Sequence, residues 1–352
     1  VSYPGLDDLA KHVDRQVLAK RAVLARQVRK AFAKAQTENV AGVDYFVYRH
    51  AVSALIQALL THPASVILLD DLATSNDTLM AHCLRVSYQA IVIGLKLDQY
   101  LMEQRKLLDP RTAKDVTQLG LGAMLHDLGL VRMRDEQRHS IVEPHPLAEL
   151  EDPDGPWREH TDLGSEMVRE YAAPTAHAAV LHHHQHYDGS GYPEVTSRSG
   201  ITATLSADRI HIFPRIVCVA DVYDRLRHPA DDAQATAVKA LRGMVSERLR
   251  PWFDPSVLEA LFAVAPPYPP GLHVELSDGR SAAVISHAPA DPCRPTVQIL
   301  DASGSGEDEN HLATLVDLSA EQDLHIARAS GRAVGQWNFD RPKLGRHYAC
   351  VG

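Results

Sequence analysis

Cysteine is scarce in this chain: Cys83, Cys218, Cys293 and Cys350 are the only four in 352 residues, and no two form a Cys-x-x-Cys pair. That spacing fits neither a zinc ribbon nor a dense disulfide framework, and it sets a reducing cytoplasm as the expected compartment. Positive charge is also in short supply. Lys and Arg number 36 against 45 Asp and Glu, a formal charge of −9, which disfavours a scaffold that grips a nucleic acid polymer through its phosphates. Long apolar runs are missing as well. The longest, around 51–60 and 66–69, are broken by Ser, Gln, His and Pro and fall short of the ~20 residues of a bilayer span, so no membrane segment is expected. The amino end, Val-Ser-Tyr-Pro-Gly, lacks an initiating Met and the basic and apolar parts of a signal peptide, and reads as the start of a fragment. There is no internal repeat, and low complexity is confined to 303–309.

What remains is an ordinary globular composition, 45% hydrophobic and 23% charged, in a chain long enough for two or three domains. Apolar residues at Leu9, Val13, Val17, Leu24, Val28 and Phe32 recur at steps of four or seven, the pattern of an amphipathic helix. Such a helix either packs on its own domain or pairs with a second copy of the chain or an upstream sensor. Further helices are predicted over 45–60, 77–97, 113–128, after His160, and over 174–184, 214–226 and 233–249, with Pro174 and Pro214 suited to first turns. The proline-rich segment 265–271 reads as a linker. Beyond it, 273–276, 282–285 and 296–300 look like strands, the first two joined as a hairpin by Ser277-Asp278-Gly279. The predicted fold class is mainly α with a small β-rich C-terminal module. Its expected domains are an N-terminal helical region over 1–70, a helical domain over 71–265 and the β-rich module over 266–352.

Histidine is the residue in excess. There are 20, and ten of them fall between His126 and His211. His126-Asp127 alone is weak evidence. The triple His182-His183-His184 at a predicted helix end is stronger, because adjacent imidazoles do little for stability but offer nitrogen ligands to a divalent metal. The turn-forming run Asp188-Gly189-Ser190-Gly191-Tyr192-Pro193 follows it.

Read in order, the motifs resemble the HD-GYP phosphodiesterases of bacterial cyclic di-GMP signalling, within the HD superfamily. His82-Cys83-Leu84-Arg85-Val86 resembles their His-Ser-x-Arg-Val element, Leu125-His126-Asp127-Leu128-Gly129 their His-Asp-Ile-Gly element, and His160-Thr161-Asp162-Leu163-Gly164 their His-Pro-x-x-Gly element. His183-His184-Gln185 with Asp188 to Pro193 resembles the Gly-Tyr-Pro element, and Ala220-Asp221-Val222-Tyr223-Asp224 the closing Ala-Asp-x-x-Asp. The resemblance covers about 77–265 and implies an HD-type helical bundle. It implies metal ligands at His82, His126, Asp127, His160, His183, His184 and Asp221, with Asp127 bridging two divalent ions, Fe or Mn by ligand type. Two such ions can hold a phosphate and generate a bridging hydroxide for in-line attack at phosphorus. Gly189, Gly191, Tyr192 and Pro193 would meet the substrate, with Tyr192 packing on a nucleotide. Arg85 either meets phosphate or forms an ion pair.

Three positions depart from the family pattern. Thr78 stands where members with a third metal have Glu, so two metals are expected. Leu130 replaces a phosphate-binding lysine, and Gln185 replaces a Glu that could orient a ligand histidine. His177, His182 and His186 are expected beside the ligands or exposed, His139, His145 and His211 at the surface or in packing, and Asp224 and Arg225 as braces. The resemblance implies a metal-dependent phosphodiesterase that takes cyclic di-GMP through pGpG to GMP. The alternatives are a metal-containing receptor for cyclic di-GMP or pGpG with little turnover, and an HD phosphohydrolase for another nucleotide.

Overall fold

The computed structural model describes residues 4–38, 42–61, 78–133, 155–197, 199–229, 235–288, 290–300 and 314–340, and the side chains from 22 onward apart from 58–61 and 78. Among the sequence expectations, the Thr78 side chain, His139, His145, Cys350 and the 303–309 loop lie outside these residues. The chain divides into two compact units. The first holds 1–225 and 251–257, and the second 226–250 and 258–352.

The first unit is helical: α1 (Pro4–Glu38), α2 (Tyr45–Thr61), α3 (Thr78–Lys96), α4 (Asp98–Gln104), the single turn α5 (Pro110–Ala113), α6 (Thr117–Leu125), α7 (Glu159–Val168), α8 (Pro174–His182) and most of α9 (Ile212–Arg227). Within the amphipathic pattern of α1, Leu24, Val28 and Phe32 are buried and α1 packs on α2 and α3, while the side chains of Leu9, Val13 and Val17 lie outside the described residues. At the centre stands α6, apolar on every side and with nearly every residue buried, as a helix surrounded by others must be. Its two glycines set its neighbours. A side chain at Gly120 would run into Ile91 of α3, and one at Gly122 into Ala176 and Ala179 of α8, so both helices approach the α6 backbone closely. This packing fixes the C-terminal end of α6, where His126 and Asp127 sit. A small antiparallel ribbon, β1 (Val195–Thr196) with β2 (Thr202–Ala203), follows the turn-rich run.

The second unit carries α10 (Ala237–Met244), most of α11 (Pro255–Val264) and an antiparallel six-stranded sheet in the order β6-β5-β4-β3-β7-β8. Its strands are β3 (His273–Leu276), β4 (Ser281–Ser286), β5 (Thr296–Ile299), β6 (Leu315–Asp317), β7 (Ile326–Ala329) and β8 (Arg332–Ala333). The predicted β3–β4 hairpin forms, with Val274 opposite Ala282 and Gly279 at φ +87° in its turn. Burial alternates along β3 as expected for a sheet with one covered face. The proline-rich segment 265–271 lies inside this unit: Tyr268 is buried and its hydroxyl donates to Asn338 Oδ1. Among the described residues no helix is long and apolar enough to cross a membrane.

Candidate metal centre

All seven candidate ligands meet in the first unit. His82 comes from α3, His126 and Asp127 from the end of α6, and His160 from the first turn of α7. His183 and His184 come from the end of α8, and Asp221 from the middle of α9. They form two groups whose ligand atoms lie within 4.8 Å of one another: Asp127, His160, His183 and His184 in one, and His82, His126 and Asp221 in the other. Asp127 joins them. Its Oδ1 faces His160 Nε2 at 3.3 Å and His183 Nε2 at 3.7 Å, while its Oδ2 faces His126 Nε2 at 3.3 Å and His82 Nε2 at 3.5 Å. Asp221 Oδ1 completes the second group, 3.0 Å from His82 Nε2 and 3.6 Å from His126 Nε2.

The tautomers follow from the outer ring nitrogens. His126 Nδ1 lies 2.7 Å from the Ala123 carbonyl, His183 Nδ1 2.9 Å from the Val180 carbonyl, and His160 Nδ1 against the Trp157 carbonyl, each three residues upstream. His82 Nδ1 lies 2.7 Å from Asp224 Oδ2. A carbonyl or carboxylate oxygen can only accept, so each Nδ1 carries a proton and each neutral imidazole presents its Nε2 lone pair to the centre; His82 and His126, whose pKa values are raised, give up an Nε2 proton to ligate. His160 Nε2 and His183 Nε2 stand 3.1 Å apart with no proton left to bond them. His82 Nε2, His126 Nε2, Asp127 Oδ1 and Asp221 Oδ2 are buried without a hydrogen bond, and Asp221 Oδ1 forms an ion pair with Arg225 Nε at 2.9 Å. Buried polar atoms left in that state are costly unless something else binds them. Imidazole nitrogens and carboxylate oxygens converging with lone pairs inward are the donor set a divalent transition metal takes, so this buried cluster could hold metal ions.

Charge follows the same division. Burial lowers the pKa of His160, to about 4, and lowers His183 and His184, keeping the first group neutral and ready to ligate. Burial also opposes protonation of His126, but the facing Asp127 and Asp221 carboxylates outweigh it and raise its pKa to about 10. Burial would raise Asp127, yet His126, His183 and His160 around it hold its carboxyl well below the usual carboxylate range. Asp127 and Asp221 are thus both held as carboxylates, and the second group adds the Asp221 charge to the one that Asp127 shares between the groups.

The loop after α8 is pinned against the ligands. A side chain at Gly191 would overlap the His184 carbonyl and the His186 amide, so only glycine lets the loop lie on the ligand-bearing turn, where Tyr192 N–H donates to His184 O at 2.9 Å. Gly189 takes φ +86°. Tyr192, expected to pack on a nucleotide, meets the ligand-bearing turn in this structure. Its ring is buried, stacks on His184 at 4.6 Å and lies under the Arg158 guanidinium at 4.6 Å, so in this structure it steadies a candidate ligand. Arg85 forms the ion pair that was one of its two readings: Nε and Nη2 donate to Asp224 Oδ1 and Oδ2 at 2.6 and 2.9 Å. Asp224 thereby braces His82 with one oxygen while Arg85 holds both. Leu130 is buried. His186 is buried, stacks on Trp252 at 3.8 Å and bonds Ser190 Oγ.

Gln185 has a job the sequence did not reveal. Its side-chain amide donates to the Pro193 carbonyl and its oxygen accepts from Leu205 N at 2.9 Å, tying the loop to the segment after β2. A carboxylate could make only the second bond. Gln185→Glu is therefore expected to lower stability in urea unfolding by about 1–3 kcal/mol, the cost of facing a buried carbonyl with an acceptor, and to leave bound metal unchanged. Unaltered stability would show that the amide donor does no such work.

Two further signals lay in glycines. A side chain at Gly129 would overlap the His160 carbonyl and press on Gly164 N, so Gly129 and Gly164 mark where the turn after Asp127 crosses α7. The predicted helix end at 128 did not reveal this crossing, and the recurrence of Gly three and four residues after His126 and His160 was the available hint.

Residues 95–257 match the HD domain family, a span that contains six of the seven candidate ligands and leaves out His82, and residues 273–333 match a KOW domain associated with the HD domain. The cyclic di-GMP phosphodiesterase PA4108 of Pseudomonas aeruginosa is 28% identical over 261 residues, 72% of this chain and 55% of its own length. The cyclic di-GMP phosphodiesterase response regulator RpfG of Xanthomonas campestris pv. campestris is 30% identical over 152 residues, 42% of this chain and 36% of its own. The chain thus spans about half or less of the length of these relatives. The solved structure of Bd1817, an HDG"Y"P protein from Bdellovibrio bacteriovorus, overlaps 70% of each chain at 15% identity with a TM-score of 0.47.

Proposed function

From the match of residues 95–257 to the HD domain family and the geometry of the centre, we propose that this chain is an HD-GYP-type metal-dependent phosphodiesterase that hydrolyses cyclic di-GMP through pGpG to GMP. The observation that carries the proposal is Asp127, whose two oxygens face the two ligand groups from one carboxylate. His82, His126, Asp127, His160, His183, His184 and Asp221 are the proposed ligands of two divalent ions, of the Fe or Mn type. Such ions supply Lewis acidity that offsets phosphodiester charge and lowers the pKa of an attacking water.

The chain's own part is to aim and hold. The three upstream carbonyls and Asp224 fix four imidazoles with Nε2 inward, so ligands need no reorientation when ions arrive. Burial excludes competing water and keeps His160, His183 and His184 unprotonated. Gly189, Gly191, Tyr192 and Pro193 are the proposed substrate-facing residues of a loop that Gln185 clamps through the Pro193 carbonyl. With Leu130 apolar, the substrate's negative charge falls mainly to the ions. The test is product analysis on the purified chain loaded with Mn or Fe(II). Cyclic di-GMP should give pGpG and then GMP, and a chelator should stop both steps. Intact cyclic di-GMP beside a control enzyme that cleaves it would overturn the proposal.

A further inference from the structure

Arg225 lies one helical turn after Asp221 on α9, outside the proposed ligand set and yet against it. Its Nε is 2.9 Å from Asp221 Oδ1, with 10% of the Arg225 side chain and 1% of the Asp221 side chain exposed. That same oxygen faces His82 Nε2 at 3.0 Å and His126 Nε2 at 3.6 Å, and it is the atom on which the three-residue group converges. A divalent ion in that group would therefore share its carboxylate with a guanidinium. Arginine cannot shed its proton to make room, and two cations a few Å apart in a site with little water repel strongly. The other group has a different neighbourhood. Asp127 Oδ1 faces the imidazoles of His160 and His183 at 3.3 and 3.7 Å, and among the described ion pairs Arg225 is set against Asp221 and not against Asp127.

We infer that Arg225 makes the two metal positions unequal. The position formed by Asp127, His160, His183 and His184 fills first and tightly. The position formed by His82, His126 and Asp221 fills second and weakly, because a resident guanidinium must leave Asp221 as the ion arrives. The inference rests on the proposed metal centre but not on the identity of the substrate, and it makes the loading of the second ion, and with it any reaction that needs both, depend on the free metal concentration.

Calorimetric titration of the chelator-stripped chain with Mn2+ tests this. The wild type should show a tight step and a weak one. Arg225→Gln, which removes the charge, should tighten the weak step by roughly tenfold or more and leave the tight step within a few-fold. Arg225→Lys, which keeps the charge, should leave the weak step weak. The unchanged tight step shows at the same time that each variant is folded. Two equal constants in the wild type, or a second constant that Arg225→Gln does not change, would overturn the inference. A wild-type chain that bound no Mn2+ would instead overturn the metal centre beneath it.

Discussion

Asp127→Asn is expected to empty the centre of metal and lower phosphodiester hydrolysis by about three orders of magnitude or more, since activation of water depends on the ions. The substitution keeps size and shape and changes only charge and donor pattern. Asparagine presents one oxygen and one amide N–H. Whichever way it turns, the amide faces one of the two histidine pairs that Asp127 Oδ1 and Oδ2 now face. That pair then meets a donor aimed at its Nε2 lone pairs in place of a shared anionic ligand. The His126 pKa, held up to about 10 chiefly against burial by Asp127, should fall with the lost charge. Metal content by elemental analysis and product formation from cyclic di-GMP are the measurements, with circular dichroism on chelator-treated protein to confirm the fold. Full metal content in the variant would remove Asp127 from the ligand set.

Gly129→Ala should be the most damaging substitution that touches no candidate ligand. The added methyl would overlap the backbone carbonyl of His160 and crowd Gly164 N, and backbone cannot rotate aside as a side chain can. The turn after Asp127 and α7 must therefore separate. We expect a stability loss of about 3 kcal/mol, the upper range for overpacking, by urea unfolding. Because α7 carries His160 away from Asp127, whose carboxylate lies 3.3 Å off, Mn2+ affinity should fall as well. Retained stability and retained metal affinity together would show that the crossing can relax, and that the contact does not position His160.

Much of this was legible in the chain itself. The β3–β4 hairpin could be read because a two-residue period and an Asp-Gly turn are local properties. The candidate ligands could be read because the five motifs occur in order. The stacking of Tyr192 on His184 was not legible, because an aromatic in a Gly-rich loop looks the same in sequence whether it faces a ligand or a histidine, and only packing put His184 beside it. Gln185 looked like a weakened Glu, since nothing local reveals that its partners are Pro193 and Leu205. Arg225 was visible as a neighbour of Asp221, but not as a competitor for its oxygen.

The sequence by itself named the candidate ligands, because the ordered motifs that resemble a known family are written in covalent order. The tertiary structure alone decided how seven residues divide into two groups about one carboxylate. Asp224 bonds His82 from 142 residues away, and such a pairing depends on which helix faces the close glycine contacts of α6. The inward aim of each Nε2 depends on where the opposite ring nitrogen finds an acceptor. Hydrogen bonds are directional and buried polar atoms must be satisfied, so those acceptors set the centre's geometry, and they exist only once the helices have packed.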